Sequence, residues 1–141
     1  MVGTEVLDIF AIVGYTVIRP DEQSFQPPSW RPQERARSVV ELRRDEGLRH
    51  SQANLWRYSP GARGRRHREP LQEEVFCVIE GTLTVMLGDP AERFDLPPRS
   101  LVVVEPGTPV LLRNDSAADV VVFAYGAPEQ PATYTAEVLA D

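Results

Sequence analysis

The chain has no lysine: all fifteen basic residues are arginine, set against twenty-one aspartates and glutamates. The resulting formal charge of −6 argues against a nucleic-acid partner, because neutralising phosphates needs a basic face. With arginine as the only cation, each positive group is a planar fork suited to two-point pairing with a carboxylate. Cysteine is almost missing as well. Cys77 stands alone, so no disulfide can form within the chain, and a reducing compartment is expected. Long apolar runs are also lacking. The stretch 6–18 is interrupted by Asp8 and is too short to cross a bilayer. The first basic residue is Arg19, so the charged start of a secretory signal is missing. These features together predict a soluble, cytoplasmic protein without a membrane partner. There is also no Ser-His-Asp arrangement, phosphate loop or C-x-x-C pair.

What the chain does have is turns. Thirteen prolines and nine glycines punctuate short runs of β-branched and aromatic residues. With 141 residues, one domain with one core is the natural reading. A strand is predicted at 15–19, stopped by Pro20. A proline-rich arm follows over 21–32, and its Trp30 needs a wall or a second subunit on which to bury its ring. Ser38 and Glu41 form an S-x-x-E capping box, which predicts a short helix closed by Gly47 and plugging one end of the fold. From there the pattern is all β: strands at 52–58, 65–69, 74–80, 82–87, 93–96, 101–105, 110–114 and 120–125. Turn signals about every ten residues are the mark of a sandwich or barrel. In 75–79, 102–104 and 120–123 neither strand face is polar, so both faces must be covered. One face meets the barrel interior. The other calls for a second subunit or the N-terminal arm, and a homodimer is expected.

The chemistry-bearing residues crowd into 58–81. Alternate residues of a strand share a face, so His67 and Glu69 point one way and Arg66 and Arg68 the other. The turn at 70–73 can return Glu74 beside them. Phe76 and Val78 share the parity of Glu74 and should line the pocket, whereas Cys77 has the opposite parity and packs outside as a small apolar residue. One imidazole and two carboxylates suit a harder divalent ion such as Mn²⁺ or Fe²⁺. A blander arrangement uses the same residues: Glu69 and Glu74 pair with Arg63, Arg65, Arg66 or Arg68, and His67 is a satisfied core residue. Arg63 or Arg65 can be a solvated cation or can orient an anionic ligand at the mouth. His50, beside Ser51, reads as a surface or edge residue.

The spacing Gly61-x5-His67-x-Glu69-x4-Glu74-x6-Gly81 resembles the first motif of the cupin superfamily, G-x5-H-x-H-x3,4-E-x6-G, with Glu69 where the second histidine stands. Residues 99–114 resemble the second motif, G-x5-P-x-G-x2-H-x3-N. Gly107 and Asn114 match, while Arg99, Glu105 and Val110 replace its glycine, proline and histidine. The resemblance implies an all-β double-stranded β-helix, or jelly-roll barrel, over 52–126. It would be preceded by an arm, strand and short helix over 1–51 and followed by a tail over 127–141 packing on the barrel. By position the metal ligands become His67, Glu69 and Glu74, with Val110 in the fourth place. The implied ligand pocket consists of His67, Glu69, Glu74, Phe76, Val78, Val110, Leu112 and Arg65. Two states stay open: one divalent metal (Mn, Fe, Ni or Zn), or none. Three functions follow. The first is a barrel that binds a small ligand with a degraded metal site. The second is a metal-dependent oxygenase, isomerase or decarboxylase. The third is a non-catalytic dimeric sensor or assembly module.

Overall fold

The computed structural model describes residues 14–42, 47–129 and 136–141. After a single 3-10 turn, Pro20–Glu22, it is built from strands. These are β1 (Arg37–Leu42), β2 (Gln52–Tyr58), β3 (His67–Arg68), β4 (Glu73–Glu80), β5 (Leu83–Leu87), β6 (Glu92–Leu96), β7 (Leu101–Val104), β8 (Val110–Arg113), β9 (Val120–Ala127) and β10 (Glu137–Val138). They form two five-stranded sheets, ordered β1-β2-β9-β4-β7 and β10-β3-β8-β5-β6. Neighbouring strands pair antiparallel throughout.

The core lies between the sheets. Phe76, Val78, Val102, Val104, Val120 and Val122 from the first sheet pack with Leu83, Val85, Val110 and Leu112 from the second. The period-2 alternation of burial follows the pleat. In β7, Val102 and Val104 are buried, while Leu101 is 69% and Val103 74% exposed. Register carries this pattern across the sheet, since Phe76 faces Val102 on one side and Ala124 on the other. Gly81 joins β4 to β5 with φ +76°, and a Cβ there would stand 2.5 Å from the Asp119 carbonyl oxygen. The tight return between these strands therefore requires glycine.

Two local expectations are corrected, and the C-terminal tail gains a strand. The capping-box helix does not form in its first part: residues 37–42 are β1, paired along its whole length with β2. The rest of that helix, 43–46, lies outside the described residues. Ser38 faces Arg57, and Glu41 instead accepts hydrogen bonds from the Ser29 amide and hydroxyl. A capping box satisfies a few local donors. Six residues of pairing with β2 plus burial of Val39 outweigh it, and adjacent Val39 and Val40 prefer the pleat. Residues 15–19 are not a strand. Tyr15 and Val17 are exposed, and the outer edge of β1 is met instead by a bridge between Gln26 and Val39. Finally, the C-terminal segment contributes a strand of its own, β10, paired with β3. Trp30 finds the barrel wall, its ring edge-on to Trp56 at 6.0 Å between centroids.

Candidate metal centre

The turn between Glu69 and β4 does what its length permits: it brings a carboxylate on β4 back beside the residues of β3. His67, Glu69 and Glu74 each present one ligand atom, and these atoms lie within 4.8 Å of one another. Glu69 is buried, and His67 and Glu74 are half-buried. His67 Nε2 stands 3.6 Å from Glu69 Oε1, too long for a hydrogen bond between them. The other ring nitrogen, Nδ1, lies 2.9 Å from the Arg65 carbonyl oxygen. A carbonyl only accepts, so Nδ1 carries the proton, and the Nε2 lone pair is left facing the carboxylates. This backbone contact fixes the tautomer that a ligating histidine requires.

The electrostatics also favour a cation. Burial, and then the nearby Glu69 charge, push the Glu74 carboxyl up from its ordinary value of 4.5 to about 7. Two carboxylates held together away from water disfavour ionisation, and a divalent ion between them removes that cost. The arginines of the same turn are committed elsewhere. Arg63 pairs with Asp141, Arg66 with Asp89 and Arg68 with Glu137. Arg65 is exposed, and it enters the site through its carbonyl rather than its guanidinium. The donor set therefore fits one divalent ion, with positions left over for water or a ligand.

The remaining expected pocket residues belong to the packed core. Val110 is fully buried directly opposite His67 in the β3–β8 register, and Leu112, Phe76 and Val78 join it in the packed core. Cys77 has the opposite parity and is half-buried on the other face of the sheet. An open groove of about 370 Å³, lined by Ile18, Val40, Leu42, Leu55 and Phe123 among others, is on that outer face under the arm. None of its lining residues is titratable.

Two supporting residues carried only weak sequence signals. Gln72 is buried over Gly126, where a Cβ would be 2.5 Å from its side chain. Its Nε2 donates to Gln52 Oε1 and the Pro128 carbonyl, tying the start of β4 to β2 and to the end of β9. Asn114 is completely buried. Its Nδ2 donates to the Tyr58 and Ala118 carbonyls, and its Oδ1 accepts from the Ser116 amide and hydroxyl. Its match to the second motif was the available hint.

Comparison with known proteins agrees with this architecture. The family model for the cupin domain matches residues 54–125. No curated protein sequence matches the chain. Among solved structures, a sugar phosphate isomerase of the cupin superfamily from Silicibacter pomeroyi superposes with a TM-score of 0.68 at 21% identity, over 81% of this chain and 76% of that one. KdgF from Halomonas sp. gives 0.67 at 18% identity, over 82% and 96%. The polyketide cyclase RemF from Streptomyces resistomycificus gives 0.73 at 16% identity, over 89% and 85%. At these identities the likeness is one of fold. Two antiparallel sheets enclosing a His-Glu-Glu cluster, together with a family match spanning half the sequence, show that this chain belongs to the cupin domain family.

Proposed function

We propose that the chain is a metal-dependent cupin enzyme acting on a small oxygen-bearing molecule, with one divalent cation held by His67, Glu69 and Glu74. The observation that carries this reading is the convergence of one imidazole and two carboxylate ligand atoms within 4.8 Å, with the Glu74 carboxyl pushed up to about 7. A bound ion of this kind supplies Lewis-acid polarisation of a ligand oxygen. The protein's own part is to fix the His67 tautomer, exclude water with the buried Val110 and Leu112, and present Glu74 as an ionised ligand once the cation is bound. That combination suits Lewis-acid chemistry on a small substrate, as in an isomerase or decarboxylase. The description of one similar structure as a sugar phosphate isomerase is in keeping with it.

Metal analysis of the native purified protein tests the reading. One Mn, Fe, Ni or Zn per chain is expected in the wild type, and less than a tenth of that in Glu74→Ala, with the fold retained by circular dichroism. Full metal content in that variant would rule out this ligand set. The competing reading is a binding barrel without metal. It rests on Val110, buried where the family motif places a fourth ligand. A metal-free native protein that still binds small molecules would select it.

The functional unit is a homodimer. The outer face of β4, β7 and β9 presents Ile79, Leu101, Val103 and Tyr125, each more than two-fifths exposed. The outward row Leu101–Cys77–Phe123 and its neighbour Val103–Val75–Tyr125 contain no charge. On a chain of net charge −6, an uncharged face is where a second copy can approach without repulsion. β7 is also the free edge of its sheet, where a two-fold contact can be self-complementary.

A further inference from the structure

The arginine cluster of the motif turn is not explained by the metal centre. Most of its partners lie in the last six residues, with Arg66 also reaching Asp89 and the Gly88 carbonyl. β3 is only two residues long, and its strand pairing with β8 is a single register pair, His67 with Val110. Flanking bonds help on that side, from the Gly64 amide to the Leu112 carbonyl and from the Gly107 amide to the Glu69 carbonyl, but the two strand residues themselves have one ladder pair there. Its other edge is closed by β10, with Val138 opposite His67 and Glu137 opposite Arg68. Around that pairing, Arg68 Nε and Nη2 meet Glu137 Oε2 and Oε1 at 2.8 and 2.9 Å, a two-point fork. The Leu139 amide donates to the Arg66 carbonyl at 2.8 Å, Arg66 Nη1 donates to the Ala140 carbonyl at 2.8 Å, and Arg63 pairs with Asp141.

Strand parity places Arg66 and Arg68 on the face opposite His67. The tail therefore grips the outer face of the strand through Glu137, while Val138, directly opposite His67, shares the face of the imidazole. The Arg65 carbonyl that sets the His67 tautomer lies just ahead of this short strand, two residues before His67. Whatever fixes the backbone at 65–68 fixes the direction of Nε2.

We propose that β10 is a positioning element for the candidate metal centre, and that Arg68 and Glu137 are positioning residues acting on His67 through the backbone of β3. This rests on His67 being a metal ligand. A partner bonded directly to a ligating histidine typically changes affinity by about 10–100-fold when removed, and Arg68 and Glu137 act one step further out, so a smaller effect is expected. An exposed ion pair contributes little to global stability. The two effects are therefore separable.

The test uses the full-length chain as wild type, Arg68→Ala, Glu137→Ala, the double alanine variant and the charge swap Arg68→Glu/Glu137→Arg. Mn²⁺ affinity is measured by calorimetry, thermal stability by scanning calorimetry, and the His67 ring by ¹⁵N NMR in metal-free protein. Each alanine variant is expected to bind Mn²⁺ a few-fold more weakly, with Tm changed by only a few degrees. The double variant should be no weaker than the singles, and the charge swap should recover most of the affinity. Wild-type affinity in Glu137→Ala, or a Tm loss that accounts for the weaker binding and is not rescued by the swap, would overturn the proposal. If the wild type takes up no Mn²⁺, the metal reading fails by itself. The latch is then judged on the NMR signal: the Nδ1-protonated form of His67 should dominate in the wild type and mix with the other tautomer in Glu137→Ala, and an unchanged spectrum overturns it.

Discussion

At the scale of single residues, Glu74 is the most informative group. Its carboxyl has an ordinary value of 4.5 and is pushed up to about 7 by burial and by Glu69. An acid whose folded-state value is raised binds more protons folded than unfolded between those two values, so stability falls as pH rises through that window. Below about 4.5 both states are protonated and the group contributes no difference. Above about 7 the folded state bears the full cost of the charge, at most about 3 kcal/mol by the usual conversion of 1.36 kcal/mol per pH unit. The metal-free protein should therefore melt several degrees lower at pH 7.5 than at pH 5. Glu74→Gln should flatten that dependence, and adding Mn²⁺ should reverse it by favouring the ionised form. Scanning calorimetry across pH 4.5–8 checks all three. A wild-type profile no steeper than that of Glu74→Gln would mean that Glu74 does not titrate in this range.

At the scale of elements, the motif strand depends on what precedes it. The turn that follows β2 is pinned by Asn114 at the end of β8. Its side chain donates to the Tyr58 carbonyl, while its backbone exchanges hydrogen bonds with Gly61 and Ala62. Asn114→Ala removes the side-chain donor to the buried Tyr58 carbonyl and the part-buried Ala118 carbonyl, and the acceptor for Ser116. The expected loss is about 2–4 kcal/mol, read as a Tm drop of roughly 10 °C. Because residues 61–64 lead directly into β3, metal affinity should fall with it. A stability loss below about 1 kcal/mol would show that water replaces these bonds easily. The same scale explains a motif departure. Arg99, standing where the second motif has glycine, holds φ +75°, a left-handed conformation more costly for arginine than for glycine. The fold keeps the turn even though the residue best suited to it is gone, because the Arg99 amide and the Ser100 hydroxyl anchor it to Val78 and Pro97.

At the scale of the whole molecule, the exposed apolar face is the basis of the proposed dimer. Size-exclusion chromatography with light scattering should report twice the chain mass for the wild type. Val103→Asp, at an exposed position that does not enter the core, should give a folded monomer. A wild-type monomer would remove the case for the dimer and leave this face to another partner. Within the chain itself, no described helix is long and apolar enough to cross a membrane.

The sequence by itself determined the all-β architecture, most strand positions and the shared direction of His67 and Glu69. Those follow from period-2 side-chain alternation and from turn residues, which act locally. It also brought Glu74 within reach, because four residues of turn leave few ways back. It misread 37–42, where a local capping pattern competes with a partner strand that lies far along the chain. Parity already turned Arg66 and Arg68 away from Glu69, but it could not show which acids they and Arg63 would meet. Their acids, Asp141, Asp89 and Glu137, are placed beside them only when the chain closes on itself. Whether a cluster of opposite charges neutralises itself or leaves its carboxylates for a cation is a question of three-dimensional neighbours, and the tertiary structure alone set those.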